Sequence, residues 1–158
     1  MTSFTHIDED GNVQMVDVTG KELSFRTAVA QGAIFMNRKT LEIILNRTAK
    51  KGNVLETARI AGIMSAKKTS DLIPLCHPIN ITHIKIDFSS NKSDNCIEIK
   101  ASVRIRGRTG VEMEALTAVS AAALTIYDMC KSYDKKMTIS DICLLEKTGG
   151  KSGDFIRR

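Results

Sequence analysis

Between Ile97 and Ile105 the residues Ile97, Ile99, Ala101, Val103 and Ile105 alternate with polar or small neighbours without a slip, and no other feature restricts the fold of this chain as strongly. A period of two puts all five side chains on one side of an extended segment, so the segment reads as a half-buried strand. Ile84, Ile86 and Phe88 repeat the pattern. The link Ser90-Asn91-Lys92-Ser93-Asp94 between the two runs is short and polar, as an antiparallel hairpin requires. A hairpin with one apolar face must be covered on that face.

The remaining pattern supplies the cover. Leu41, Ile44 and Leu45 recur at helical spacing within Arg38–Arg47. Asn53 stands three residues before Glu56 in a capping-box-like start, and the Ala-rich run to Ala66 continues as helix until about Lys67-Lys68. Glu112–Lys131 is the longest periodic stretch. Met113, Leu116, Ala123, Leu124 and Tyr127 mark its expected buried face, with Ala115, Ala118, Ser120, Ala121 and Ala122 permitting close approach. Ala33–Asn37 reads as a short buried strand. Met137, Ile139, Ile142 and Leu144 form a last strand whose phase changes near Asp141, as at a bulge. Strand, helices, hairpin, helix, strand predicts an α+β fold: a ferredoxin-like antiparallel sheet with helices packed on one face. At 158 residues the chain can bury its own core, so residues 1–158 read as a single domain with a flexible N-terminus (about 1–12) and a flexible C-terminal tail (about 149–158).

Composition narrows the partners. No run approaches the roughly 20 apolar residues of a membrane helix, and the start carries His6, Asp8, Glu9 and Asp10 in place of a basic, greasy leader. A cytoplasmic protein without membrane attachment is expected. Cys76, Cys96, Cys130 and Cys143 show no C-x-x-C and no disulfide-framework spacing, so they read as reduced thiols. The net charge of +5 favours an anionic partner, a nucleic acid or a small phosphate. Aromatic residues make up only 4% and Trp is absent, which leaves little for a base-stacking platform.

Both prolines lie in Leu72-Ile73-Pro74-Leu75-Cys76-His77-Pro78. Each fixes its own φ and restricts its predecessor, so Cys76 and His77 are held in one geometry, either as placed functional groups or as part of a stiff connector. Adjacent residues of an extended chain point apart and no second Cys/His pair exists, so a metal site is not expected. Asp128 and Lys131 are helix neighbours whose Cβ atoms would lie roughly 5–6 Å apart. They fit an acid/base couple or an ordinary ion pair. Glu112 and Glu114 open the same helix, where acids favour the dipole. Lys50, Lys51, Lys67, Lys68, Lys131 and Lys147 fall at element ends, where one cleft could gather them around a polyphosphate. Arg104, Arg106 and Arg108 share one strand face and offer an alternative RNA-binding surface. Gly150-Lys151-Ser152 imitates the end of a phosphate-binding loop, but Leu145 occupies the position of the required first glycine.

Several segments together resemble the MoaC family of molybdenum cofactor biosynthesis enzymes: Met15-Val16-Asp17-Val18, Lys51-Gly52 with Ala58–Ile63, Asp71–Pro78, Thr109–Thr117, Ala122–Lys131 and Gly149–Asp154. The resemblance runs from about His6 to Asp154. It departs at Asn53, where an Asp is common, and at the hairpin Ser89–Asn95. It implies a homohexamer, a trimer of dimers, with active sites at subunit interfaces. It also implies conversion of 3′,8-cyclo-7,8-dihydro-GTP to cyclic pyranopterin monophosphate with release of pyrophosphate. Asp128 is then the expected general acid/base, tuned by Lys131, with Lys51 as a second proton-transfer group. Lys67, Lys147 and Arg26 are expected to clamp phosphates. Leu75, Cys76, His77, Met113 and Glu114 would line the pterin and sugar pocket, and Glu112 would hold a lysine. No cofactor is required by the resemblance, Mg2+ travelling with the triphosphate being the one allowance, and neither nucleic acid nor membrane is an expected partner.

Overall fold

The computed structural model describes residues 6–8, 10–151 and 153–158. Its elements are β1 (Ser24–Phe35), α1 (Arg38–Leu45), α2 (Val54–Ala66), α3 (Thr69–Leu72), β2 (Ile81–Asn91), β3 (Cys96–Gly107), α4 (Glu112–Cys130), β4 (Thr138–Thr148) and β5 (Phe155–Ile156). The strands form one sheet in the order β2-β3-β1-β4-β5, and every neighbouring pair is antiparallel. β3 lies between β1 and β2, and β1 lies between β3 and β4, so the two helical crossovers interlock in the ferredoxin-like manner. α2 and α4 pack side by side on one face of the sheet.

The β2–β3 hairpin follows the alternation in the sequence. Ile97, Ile99, Ala101, Val103 and Ile105 are 0–1% exposed, while Glu98, Lys100, Arg104 and Arg106 between them face solvent. Asn91 Oδ1 accepts the backbone N–H groups of Ser93 and Asp94 and shapes the turn. At the start of α2, Asn53 Oδ1 accepts the N–H of Glu56 at 3.2 Å, the forward half of the expected capping box. On β4, Asp141 and Ile142 together oppose Gly32, and Asp141 has φ +57°, which is the bulge expected there.

Four local expectations are corrected. β1 begins at Ser24, nine residues before Ala33, because a central strand filled with small residues (Ala28, Val29, Ala30) is shielded on both faces and shows no alternation. α3 was not foreseen; four residues are too few for a periodic signal. The buried stripe of α4 is Ala115, Ala118, Val119, Ala122, Ala123, Ile126, Met129 and Cys130, whereas Leu124 is 61% exposed. Reading the bulkiest residues as the core face selected the wrong edge of the helix. Finally, the chain after Gly149 turns back as β5 onto β4, held by Arg157 N–H to Leu145 O at 2.7 Å and Gly149 N–H to Asp154 Oδ1 at 3.1 Å, where a loose tail was expected. Residues 1–5 and 9 of the N-terminus expected to be flexible, and Ser152 of the tail, lie outside the described residues.

The sheet and helices meet at close range. A Cβ on Gly62 of α2 would lie 2.4 Å from Ile86 Cδ1 on β2 and 2.9 Å from the Ala118 carbonyl oxygen of α4. Because one of these neighbours is backbone, it cannot yield cheaply. Gly62→Ala is therefore expected to destabilise the fold by about 1–3 kcal/mol, as core overpacking does. Thermal denaturation should record a melting temperature several degrees lower, and an unchanged one would contradict this packing.

Candidate active site

The rigid segment between the two prolines connects α3 to β2 and brings Leu75, Cys76 and His77 to the rim of a cavity of about 330 Å³. The start of α4 supplies Val111, Glu112, Met113 and Glu114. Arg26 and Thr27 enter from β1, and Lys147, Thr148 and Gly149 from the end of β4. These three elements meet because β1 pairs with both β3 and β4: Ala28 lies opposite Lys147 and Val103, so the end of β4 and the β3–α4 connection flank the same stretch of β1. His6, Val16, Val18 and Lys21, from the chain preceding β1, cross the mouth.

Hydrogen bonds fix the wall. His77 Nε2 donates to the Val16 carbonyl oxygen at 2.8 Å, tying the preceding chain to the proline segment. Arg26 Nε donates to the Gly107 carbonyl at 3.1 Å. Lys147 Nζ lies 2.9 Å from Glu112 Oε1, each side chain 26% exposed. Glu114 is only 4% exposed, and burial, reinforced by the charge of Glu112, pushes its carboxyl up to about 7 against the opposing pull of a backbone N–H. Burial, and then the charge of Glu114, raises the Cys76 thiol, which favours its neutral form in the cavity wall.

A second group forms where α4 ends. Lys131 Nζ lies 2.7 Å from Asp128 Oδ1, and Lys51 Nζ reaches Asp128 Oδ2 at 3.4 Å and the Asp128 carbonyl at 2.9 Å. Lys51 is carried there by a tight turn in which Gly52 adopts φ +96°, and the Lys50 N–H donates to Tyr133 Oη at 2.9 Å. The hydrogen bonds from Lys131 and Lys51 hold the Asp128 carboxyl below its ordinary value, and the bond to Asp128 in turn raises Lys131. All three side chains are about half exposed.

The structure thus gathers Arg26, Leu75, Cys76, His77, Glu112, Met113, Glu114 and Lys147 in one cavity, and Lys51, Asp128 and Lys131 in one cluster. Glu112 and Asp128 sit on one helix sixteen residues apart, which at 1.5 Å per residue separates the two groups by about 24 Å. Lys67, the C-cap of α2, is exposed and lines neither. Val16, Val18, Lys21, Thr109 and Gly110 were not singled out as cavity residues. The Met15–Val18 and Thr109–Thr117 motifs signal all of these except Lys21, for which the sequence offers no signal, and neither stretch has a usable periodicity. Arg104 and Arg106 lie on the sheet face away from the helices, Arg106 stacking over Phe25 at 5.9 Å. Among the described residues the four cysteines are free thiols, no three His, Cys, Asp or Glu side chains are grouped to hold a metal ion, and no helix is long and apolar enough to cross a membrane.

The family model for the MoaC family matches residues 15–150, which span the proline segment, the start of α4 and the Asp128 cluster. This chain belongs to the MoaC family. Relatives named cyclic pyranopterin monophosphate synthase confirm the breadth of the MoaC match. That of Desulforapulum autotrophicum is 64% identical over 99% of this chain and 96% of its own length. That of Desulfatibacillum aliphaticivorans is 58% identical over 99% and 98%. That of Heliobacterium modesticaldum is 55% identical over 99% of both. The MoaC match begins at Met15, so Val16, Val18 and Lys21 at the cavity mouth lie within it and His6 lies before it.

The raised Glu114 carboxyl gives a pH signature. The folded protein holds a proton on Glu114 between its ordinary 4.5 and about 7, where the unfolded chain has lost it, so stability falls as pH rises through this window. The contribution lost is on the order of 3 kcal/mol. Urea unfolding at pH 5 and pH 8 should show that Glu114→Gln gains stability relative to the parent at the higher pH. An identical pH dependence in both proteins would contradict the assignment.

Proposed function

We propose that this protein is a cytoplasmic cyclic pyranopterin monophosphate synthase that converts 3′,8-cyclo-7,8-dihydro-GTP to cyclic pyranopterin monophosphate and releases pyrophosphate. The observation that carries the reading is the 55–64% identity to three synthases over 99% of the chain. The chemistry of the two residue groups supports it. Closing the cyclic phosphate requires a sugar hydroxyl to attack the α-phosphorus. The hydroxyl proton passes to a base, the bridging P–O bond breaks, and pyrophosphate leaves with the bond's electron pair. Arg26 and Lys147 are cations of the cavity wall that would neutralise the departing charge, and Lys67, which lies outside the cavity of its own protomer, would reach the phosphates from a neighbouring one. Leu75, Cys76, His77 and Met113 would border the ring and sugar. Glu114, titrating near 7, can lend or take a proton there.

Rearranging a purine into a pterin also moves protons on and off ring atoms. Asp128, held ionised by two ammonium groups, enters as the base; Lys131 keeps it so, and Lys51 is the second proton-transfer group. With about 24 Å of helix between this triad and the cavity, one protomer does not bring both to the same substrate. The reading therefore places each active site between protomers of a homohexamer, a trimer of dimers, in which a neighbour's Asp128 end faces the cavity. Leu124, 61% exposed one turn before Asp128, and Ile60 and Met64 of α2, 59% and 54% exposed, are the apolar surface such a contact would cover. The reading calls for no resident cofactor.

Asp128→Ala and Lys51→Ala are expected to lower turnover of the cyclised GTP substrate by about 10²–10⁴-fold, the usual contribution of a positioned acid or base. Lys67→Ala should weaken product inhibition by pyrophosphate by about tenfold. Near-native turnover in either of the first two variants would remove it from the catalytic role, and unaltered inhibition would remove Lys67 from the phosphate clamp.

A further inference from the structure

Gly110 lies between β3 and α4, on the cavity wall, and the room a side chain would need there is taken by a charge. A Cβ on Gly110 would sit 1.9 Å from Glu112 Oε2, 2.7 Å from its Cδ and 2.8 Å from its Oε1. The backbone itself does not call for glycine, since Gly110 is not among the positive-φ residues. The requirement is space, and what fills the space is the carboxylate that holds Lys147 Nζ at 2.9 Å.

We propose that Gly110 is a positioning residue of this active site: the missing side chain lets Glu112 fold back against residue 110 and set Lys147 in the cavity wall. The inference rests on the function proposed above, in which Lys147 meets the polyphosphate.

The other close glycines show why Gly110 is distinctive. Gly32, Gly62 and Gly107 face tightly packed atoms: Val119 Cγ1 at 2.7 Å in the first case, Ile86 Cδ1 and the Ala118 carbonyl in the second, and Cδ1 of the buried Ile105 at 2.9 Å in the third. Gly149 faces the Phe25 carbonyl at 2.1 Å. At these positions a methyl group presses on backbone or packed core. Gly150 does face a movable charged group, Arg26 Nη1 at 2.4 Å, but its φ of +92° strains any side chain whatever the space. Gly110 combines an ordinary backbone with a neighbour that is the mobile end of a long side chain. A methyl group there displaces one carboxylate and leaves the fold in place.

The consequence is an energetic dependence among three residues. With alanine at 110, Glu112 must swing away, and Lys147 loses an ionic hydrogen bond that fixes its ammonium. With Glu112 already truncated, the same methyl group meets nothing. The effect of Gly110→Ala must then vanish in a Glu112→Ala background, a cancellation that a general structural role does not produce.

The test compares wild type, Gly110→Ala, Glu112→Ala and the double variant, assayed for kcat and KM with cyclised GTP, for binding of inorganic pyrophosphate by calorimetry, and for thermal unfolding. Gly110→Ala is expected to lower kcat/KM and pyrophosphate affinity each about tenfold. Its melting temperature should stay within about two degrees of wild type. Adding it to Glu112→Ala should change neither quantity by more than about twofold. A Gly110→Ala protein within twofold of wild type overturns the proposal, as does a loss that persists in the Glu112→Ala background. An unfolded Gly110→Ala overturns it too, since a neighbour that can move aside does not unfold a domain. A wild type that binds pyrophosphate without turning over cyclised GTP contradicts the proposed function instead, and the pyrophosphate affinities then decide the Gly110 cycle on their own.

Discussion

Ala118, Val119 and Ala122 of α4 have no solvent exposure, and they face Gly32 on β1 and Gly62 on α2 so closely that neither glycine has room for a methyl group. This contact gives α4 one position against the sheet. A helix packed through small residues cannot rotate or slide without opening voids on one side and clashes on the other. Every functional residue group described above depends on it. The first turn of α4 forms a wall of the cavity, and its last turn carries Asp128 and leads into Lys131.

Two carboxylates on this one helix are driven in opposite directions by their surroundings. Glu114, 4% exposed beside the sheet, is raised to about 7 by burial. Asp128, in the open and bonded to two ammonium groups, is lowered. Near neutral pH Glu114 is therefore close to its titration and Asp128 is ionised and ready to accept a proton, so the two carboxylates differ in protonation state along one helix. The rigid helix keeps the two from meeting within a protomer. Under the function proposed above, that separation is what calls for a neighbouring protomer at each site.

How much of this was legible in the sequence depended on whether a residue's role was local. The β2–β3 hairpin could be read because one face is buried and the other wet, so Ile97 to Ile105 record the pleat directly. The Asn53 cap and the Asp141 bulge were legible because each rests on neighbours within a few residues. β1 was truncated because Ala28–Ala30 are covered on both faces, which removes the alternation. Leu124 was misplaced because apolar bulk does not distinguish a core from a surface that awaits a partner. In the site, Asp128 and Lys131 follow from helix geometry, but Lys51 reaches Asp128 across 77 positions and no spacing rule announces it; the family motifs did. Val16 enters through its carbonyl and Gly110 through the space that its missing side chain leaves to Glu112, features which residue type alone does not reveal.

The most direct measurement of the central claim is complementation between two inactive variants. Lys147→Ala spoils the cavity and leaves the Asp128 cluster whole; Asp128→Ala does the reverse. Purified separately, each is expected to lack turnover. Co-expressed and isolated as a mixed oligomer with distinguishable tags, they should regain a substantial fraction of wild-type activity. In such a particle some sites pair an intact cavity from one protomer with an intact cluster from its neighbour. A mixed oligomer as inactive as its parents would contradict a site shared between protomers.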